Sequence, residues 1–166
     1  MPALSLAPLG FSPAEIAEVV ELYASNGDYW RSAGEYDPEN IDAGVVEADL
    51  RREVFTDGCE LLLARDEDGS LAGLLSLLDE HPRDKQPWIG LLMVHGGRQR
   101  KGVGRLLAGA VEEKYRNEGK VRIGLAVLEN RPSSLAFWTS LGWQETDRRR
   151  DLEHGRPCIV MHKALT

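Results

Sequence analysis

The chain has 166 residues, 42% of them hydrophobic, which suits one domain with a sizeable core. Its formal net charge of −7 argues against a nucleic-acid backbone or an anionic membrane as the main partner. Cys59 and Cys158 have neither metal-ligand nor disulfide-framework spacing, and no apolar run approaches the ~20 residues that span a bilayer. We therefore predict a single domain over residues 1–166, cytoplasmic and without a metal.

The first part of the chain predicts a strand followed by two amphipathic helices. The strand covers residues 4–9, and the spacing of Ser12 and Glu15 predicts a capping box at the start of a helix that ends at Asn26-Gly27. The polar, aromatic residues 28–40 predict a loop. The second helix is predicted from apolar residues at helical spacing, which are Ile41, Val45, Val46, Leu50 and Val54.

The rest of the chain is dominated by predicted strands. Residues 59–64 and 71–78 have the pattern of a hairpin, and residues 88–94 are apolar on both faces, as in a central strand. A helical period follows Gly102 and ends near Gly119. The remaining predicted elements are a strand over 121–127, a short helix over 133–141, and strands over 143–151 and 157–163.

A basic, glycine-rich segment lies between the predicted central strand and the helix after it. Unpaired N–H groups and the helix dipole favour an anion at such a position. Gly102 and Gly104 would let the backbone approach phosphates closely, and Arg98, Arg100, Lys101 and Arg105 supply positive charge. The pattern favours a pyrophosphate site; the alternative is a glycine turn that only starts a helix.

Two other phosphate-binding motifs fit this segment less well. A P-loop requires Lys and Ser or Thr directly after its last glycine, but Val103 and Gly104 follow Gly102. A dinucleotide fingerprint requires a third glycine where Leu107 stands. The segment therefore predicts neither a nucleoside triphosphatase nor an NAD-binding protein.

The basic segment contains Gln99-x-x-Gly102-x-Gly104, and a later segment reads Phe137-Trp138-x-x-Leu141-Gly142-Trp143. The first motif matches the signature [RQ]-x-x-G-x-[GA], and with the second motif and the order of elements it makes the chain resemble the GNAT superfamily of N-acetyltransferases. The resemblance implies an α/β fold in mixed α+β order. It further implies a mixed, mostly antiparallel sheet of about seven strands, with a splayed parallel pair and about four flanking helices.

The resemblance also implies where acetyl-CoA would bind. The pantetheine would pair with the backbone of Leu92, Met93 and Val94, and the segment after that strand would hold the pyrophosphate. The implied contacts in that segment are Gln99, Arg100, Lys101, Gly102, Val103, Gly104 and Arg105. Asn130 is either a further CoA ligand or a helix N-cap. Trp138 stands where the family often has a tyrosine that can protonate the departing thiolate, and it would pack beside the cofactor.

The catalytic and acceptor residues are less clearly marked in the sequence. Glu80, His81 and His95 flank the central strand and are candidate bases, but residues in such positions are more often solvated surface, so the catalytic residues stay unassigned. The acceptor, a small-molecule or peptide amine, is expected near the aromatic residues of the 28–40 stretch. These are Tyr29, Trp30 and Tyr36, which could alternatively cover the core.

The resulting hypothesis is direct transfer of an acetyl group from acetyl-CoA to a primary amine in a ternary complex. The alternative is a CoA-binding sensor or regulatory domain without chemistry. A structural domain that binds no CoA leaves the basic loop unexplained. Family members often dimerise, so a homodimer is possible.

Overall fold

The structure, a computed structural model, describes residues 3–166. Its helices are α1 (Pro13–Ala24), α2 (Gly27–Ala33), α3 (Ala43–Val54), α4 (Val103–Asn117) and α5 (Pro132–Ser140), with a 3-10 turn at Gly96–Arg98. Its strands are β1 (Ser5–Pro8), β2 (Cys59–Arg65), β3 (Leu71–Leu78), β4 (Trp88–Val94), β5 (Arg122–Leu128), β6 (Gln144–Arg150) and β7 (Pro157–Ala164).

The seven strands form one mixed sheet in the order β1-β2-β3-β4-β5-β7-β6. Every neighbouring pair is antiparallel except β4 and β5, which are parallel. The predicted mixed sheet is thereby confirmed, with five helices within residues 3–166 where about four were expected. Among the described residues, none of the helices is long and apolar enough to cross a membrane.

The start of α1 shows half of the predicted capping box. The hydroxyl of Ser12 accepts a hydrogen bond from the Glu15 N–H at 3.1 Å. The Glu15 carboxylate accepts its bond from the N–H of Gly10 at 2.7 Å, not from Ser12. The Ser12 hydroxyl therefore caps the Glu15 N–H in the first turn of α1. The Glu15 carboxylate instead connects this turn to Gly10, in the segment before the helix.

The prediction that residues 28–40 are all loop is wrong, because α2 occupies the first part of the stretch. Trp30 is 2% exposed, and its ring lies 4.6 Å from the ring of Tyr23 and 4.8 Å from that of Tyr36. The helix ends at Gly34, whose φ of 77° is left-handed. Aromatic packing stabilises this short helix, although its sequence has no clear apolar period.

One residue predicted to face inward is exposed. Val45 in α3 is 50% exposed, because Val46 and Leu50 form the buried side of that helix. In α4, Glu112 is buried and pairs at 2.9 Å with Lys163, whose side chain is half-buried. A charged residue therefore lies on the buried side of α4, which the apolar period did not predict.

The helices cover the sheet on both faces. Residues of α1, α2 and α3 pack on one side with Leu61, Leu63 and Leu74. Residues of α4 and α5 pack on the other with Leu62, Leu75 and Leu77. Because successive strand residues point to opposite faces, β2 and β3 supply both cores from consecutive positions.

Candidate active site

The parallel strands β4 and β5 separate shortly after they meet. Their register includes only Trp88 with Gly124 and Ile89 with Leu125. Beyond these pairs, residues 90–94 of β4 lie beside β3 alone, and the end of β5 lies beside β7 alone. The predicted splay is present, and it leaves the backbone edge of β4 facing an opening.

A β-bulge marks the point where the splay begins. Leu77 and Ser76, which are adjacent in β3, pair with Ile89 and Leu91, so Gly90 is an extra residue in β4. A bulge bends its strand and increases the local twist. The bulge therefore turns β4 away from β5 at the first unpaired residue.

The opening continues into a cleft of about 1170 Å³. Its walls come from both splayed strands, from α2 and α3, and from the connection between β6 and β7. The cleft is thus lined by elements from both ends of the chain, joined at the divergence of β4 and β5.

The glycine-rich segment lies where β4 leads into α4. Gly102 precedes the helix with a φ of 86°, and the first hydrogen bond of α4 runs from the Leu106 N–H to the Gly102 carbonyl at 3.1 Å. The N–H groups of residues 103–105 precede that bond and are free of helix partners. Arg100, Lys101 and Arg105 are exposed around them, so the segment combines unpaired donors with positive charge.

Arg98 has a different position from the other cations of the segment. It forms a salt bridge with Asp66 in the turn between β2 and β3. The positive charge available to an anion is therefore concentrated at and after Arg100.

Gly104 has a packing function that the sequence did not indicate. A Cβ at this position would lie 3.1 Å from Cζ of Phe137 in α5. At Gly102 a Cβ would meet nothing within 4 Å, although the positive φ still favours glycine. The two signature glycines thus serve different needs, close helix packing at Gly104 and a left-handed turn at Gly102.

Asn26 fixes the start of the segment, a role that its position at a helix end did not reveal. Its amide nitrogen donates to the carbonyl of Val94 at 3.0 Å and to that of Leu22 at 3.1 Å. Its amide oxygen accepts a hydrogen bond from Gln99 at 2.7 Å, and Gln99 also donates to Val94 at 3.2 Å. These bonds join α1, the end of β4 and the basic segment.

Asn130 and Trp138 lie on the β5 side of the opening. The Asn130 side chain donates to the carbonyl of Ser32 at 3.1 Å, and Arg131, not Asn130, is the N-cap of α5. The N-cap alternative is therefore wrong. Trp138 is 7% exposed, packs against Phe137 and Trp143, and lines the cleft.

The predicted aromatic residues line the opposite side of the cleft. Trp30 is in the core, while Tyr29 and Tyr36 are partly exposed beside it. The Tyr36 hydroxyl donates to Asp49 at 2.6 Å. Burial raises the pKa of Tyr29 to about 12, so this hydroxyl is protonated at neutral pH.

Glu53, at the end of α3, is a cleft residue that sequence reasoning missed. It accepts a hydrogen bond from the hydroxyl of Ser76 in β3. Burial raises the pKa of its carboxyl above the ordinary value, and the Ser76 hydrogen bond only partly opposes this effect. The apolar pattern of α3 gave no signal for it, because its partner is on another element.

The three bases considered from sequence occupy different environments. Glu80 is exposed. The ring of His81 lies 4.1 Å from that of Trp88, and burial lowers its pKa. His95 accepts a hydrogen bond on Nδ1 from the Gly97 N–H at 3.0 Å, so its Nε2 donates to Glu21 at 2.7 Å, on the side of the sheet covered by α1.

The three consecutive arginines of β6 have partners within the protein. Arg148 pairs with Glu145 at 2.7 Å and Arg149 with Asp84 at 3.0 Å. Arg150 donates to the carbonyl of Gly155 at 2.7 Å. These contacts favour a structural role, within the β6–β7 hairpin and between it and the connection before β4, over contact with an acceptor.

A comparison with known protein families identifies the family of this chain. The sequence profile of the acetyltransferase (GNAT) family matches residues 19–143. The chain belongs to this family of acetyltransferases. A search of curated protein sequences found no significant match.

Solved structures share the fold at low sequence identity. An acetyltransferase from Thermus thermophilus has a TM-score of 0.77 and 19% identity, over 98% of this chain and 97% of the other. Spermidine N-acetyltransferase from Vibrio cholerae, solved in complex with CoA and spermine, has a TM-score of 0.73 and 16% identity, over 98% and 95%. An aminoglycoside 6'-N-acetyltransferase complexed with coenzyme A has a TM-score of 0.66 and 15% identity, over 98% and 97%.

Proposed function

We propose that the protein transfers an acetyl group from acetyl-CoA to the primary amine of an acceptor bound in the cleft. The observation that carries the proposal is the opening between β4 and β5, which begins at Gly90 and leads to the basic start of α4. Along this opening, the unpaired backbone edge of β4 is followed by the anion-binding start of α4. Family membership and the CoA-bound relatives support the same assignment.

The residues along the opening fit acetyl-CoA. The edge of β4 from Leu92 to Val94 has no neighbouring strand on the β5 side and can pair with the amides of the pantetheine, although the Val94 carbonyl already accepts hydrogen bonds from Asn26 and Gln99. The N–H groups and cations from Arg100 to Arg105 can hold the pyrophosphate, with Gln99 fixing the segment in place. Bound there, acetyl-CoA supplies a thioester carbonyl that an amine can attack.

The acceptor would occupy the part of the cleft between α2, α3 and the β6–β7 connection. Tyr29 and Tyr36 provide aromatic surface, with the predicted Trp30 packed against both rings in the core, and several carboxylates lie beside them. Aromatic faces and carboxylates both attract a protonated amine. We infer a small-molecule or peptide amine as the acceptor.

A thiol-release assay tests the proposal. Purified protein with acetyl-CoA is offered spermidine, an amino sugar and a short peptide with a free N-terminus. Amine-dependent release of CoA, with the acetylated amine seen by mass spectrometry, is expected. Tight CoA binding without transfer to any amine would favour the sensor function.

A matched pair of variants locates the cofactor. Gly102→Val places a side chain at the start of α4, where φ is 86°, and should weaken acetyl-CoA binding. Gly69→Val imposes the same strain, at a φ of 86° and also with nothing within 4 Å, in the β2–β3 turn. Equal affinity in the two variants would contradict the proposed placement.

A further inference from the structure

We propose that Glu53 is the catalytic base that takes a proton from the ammonium group of the acceptor. The inference rests on the proposed function and names a residue of the same cleft. It follows from three observations: how the cleft carboxylates are paired, where Glu53 lies relative to the splay, and which groups surround it.

Glu53 differs from the other carboxylates of the cleft in its partners. Four of the five are near a basic side chain: Asp49 is 2.8 Å from Arg52, Asp151 is 2.7 Å from Arg156, and Glu35 and Glu153 are 3.0 and 3.7 Å from His154. Within residues 3–166, Glu53 has no salt bridge, and its side-chain hydrogen bond is with the neutral Ser76. Its charge is therefore available to a cation that enters the cleft.

Glu53 also lies at the point where β4 leaves β5. Its partner Ser76 is buried in β3, and a Cβ on Gly90 would lie 3.2 Å from the Ser76 hydroxyl oxygen. Gly90 is the bulge residue and the first without a partner in β5. The carboxylate is thus one side chain away from the start of the opening, where the acyl and amine sites must meet.

The groups around Glu53 disfavour its charge when no amine is present. Burial is the main cause that raises the Glu53 pKa, and the nearby carboxylates of Glu153, Glu35 and Asp49 raise it further. The cleft is also lined by basic side chains, of which Arg52, Arg156 and His154 pair with Asp49, Asp151 and Glu35. A carboxylate with a raised pKa is a stronger base, while an arriving ammonium group restores its charge by direct attraction.

The chemical step balances without a further reactant. The ammonium nitrogen gives one proton to a Glu53 carboxylate oxygen, and its freed lone pair forms the C–N bond to the thioester carbonyl carbon. The C–S bond breaks, and the second proton of the nitrogen goes to the leaving sulfur. Glu53 then releases its proton to solvent, and the products are the amide and CoA thiol.

The test compares Glu53→Gln with Glu47→Gln. Glu47 is on the same helix and pairs with Arg51 at 2.9 Å, outside the cleft, so both variants remove one charge from α3. For spermidine at neutral pH, kcat/KM should fall about 100-fold in Glu53→Gln and stay unchanged in Glu47→Gln. The loss should shrink as pH rises toward the pKa of the amine, because the free amine needs no base, and acetyl-CoA affinity should be preserved.

A second readout does not depend on turnover. Difference infrared titration of the wild type should show a protonated carboxyl band that persists above pH 4.5 and is missing in Glu53→Gln. Wild-type kcat/KM in Glu53→Gln, a loss that does not change with pH, or the absence of that band would overturn the role of Glu53. Failure of the wild type to acetylate any amine would contradict the proposed function instead.

Discussion

The indole of Trp88 lies directly against the α-carbon of Gly124 on the neighbouring parallel strand. The two residues are register partners, and a Cβ at position 124 would lie 2.6 Å from Cζ3 of Trp88. The N–H of Gly124 also donates to the carbonyl of Pro87 at 3.0 Å. Trp88 and Gly124 thus form the first of the two register pairs that hold β4 and β5 together before the strands diverge. Because a larger residue at position 124 would overlap the indole, this close pairing requires a glycine.

Replacement of Gly124 by Ala should destabilise the protein because the new methyl group overlaps the indole. We expect the free energy of unfolding to fall by about 3 kcal/mol. In a Trp88→Leu background the same replacement should cost at least about 1 kcal/mol less, since the closer of the two overlapping rings is gone and Cδ2 of His162, at 2.9 Å, remains. Urea unfolding of the four proteins measures this coupling, and strictly additive effects would show that the contact does not limit position 124.

The glycines of α4 should respond in opposite directions to alanine. Gly104→Ala brings a methyl group to 3.1 Å from Phe137 and should lower stability by about 1 kcal/mol as α5 shifts. Gly109→Ala, in the middle of the helix with nothing within 4 Å, should raise it by about 0.8 kcal/mol through helix propensity. Chemical denaturation measures both values; stabilisation by Gly104→Ala would disprove the packing role.

Loss of the Asn26 side chain should loosen the basic segment. Asn26→Ala removes the bonds to Val94 and Gln99, and we expect the Kd for acetyl-CoA to rise about tenfold, because an ordered segment must then be formed on binding. The control is Asn40→Ala, an exposed loop position. Calorimetric titration gives the Kd of each variant for acetyl-CoA, and equal Kd values would contradict a role of Asn26 in cofactor binding.

The raised pKa of Glu53 predicts a pH-dependent effect on stability. Between pH 4.5 and its folded-state pKa, the folded protein holds a proton that the unfolded chain releases, so this carboxyl lowers stability as pH rises through that range. Glu53→Gln should therefore be more stable than the wild type at pH 7. The advantage should disappear below pH 4.5, and guanidinium unfolding at several pH values checks this; a variant less stable at pH 7 would contradict the sign.

The sequence predicted those features that depend on residues close together in the chain. The basic segment before α4 is visible because Gln99, Gly102 and Gly104 are neighbours, and the strands are visible from their alternation. Asn26 and Glu53 were missed because their partners, Val94 and Ser76, are 68 and 23 residues away. Helix α2 was missed because Trp30 is held by aromatic contacts and not by an apolar period.

The most direct test of the account is calorimetric titration of the protein with acetyl-CoA and with acetyl-pantetheine, which lacks the pyrophosphate. The account predicts micromolar binding of acetyl-CoA, much weaker binding of acetyl-pantetheine, and loss of the difference in Gly102→Val. Equal binding of the two compounds, or no binding of acetyl-CoA, would contradict a cofactor site at the start of α4.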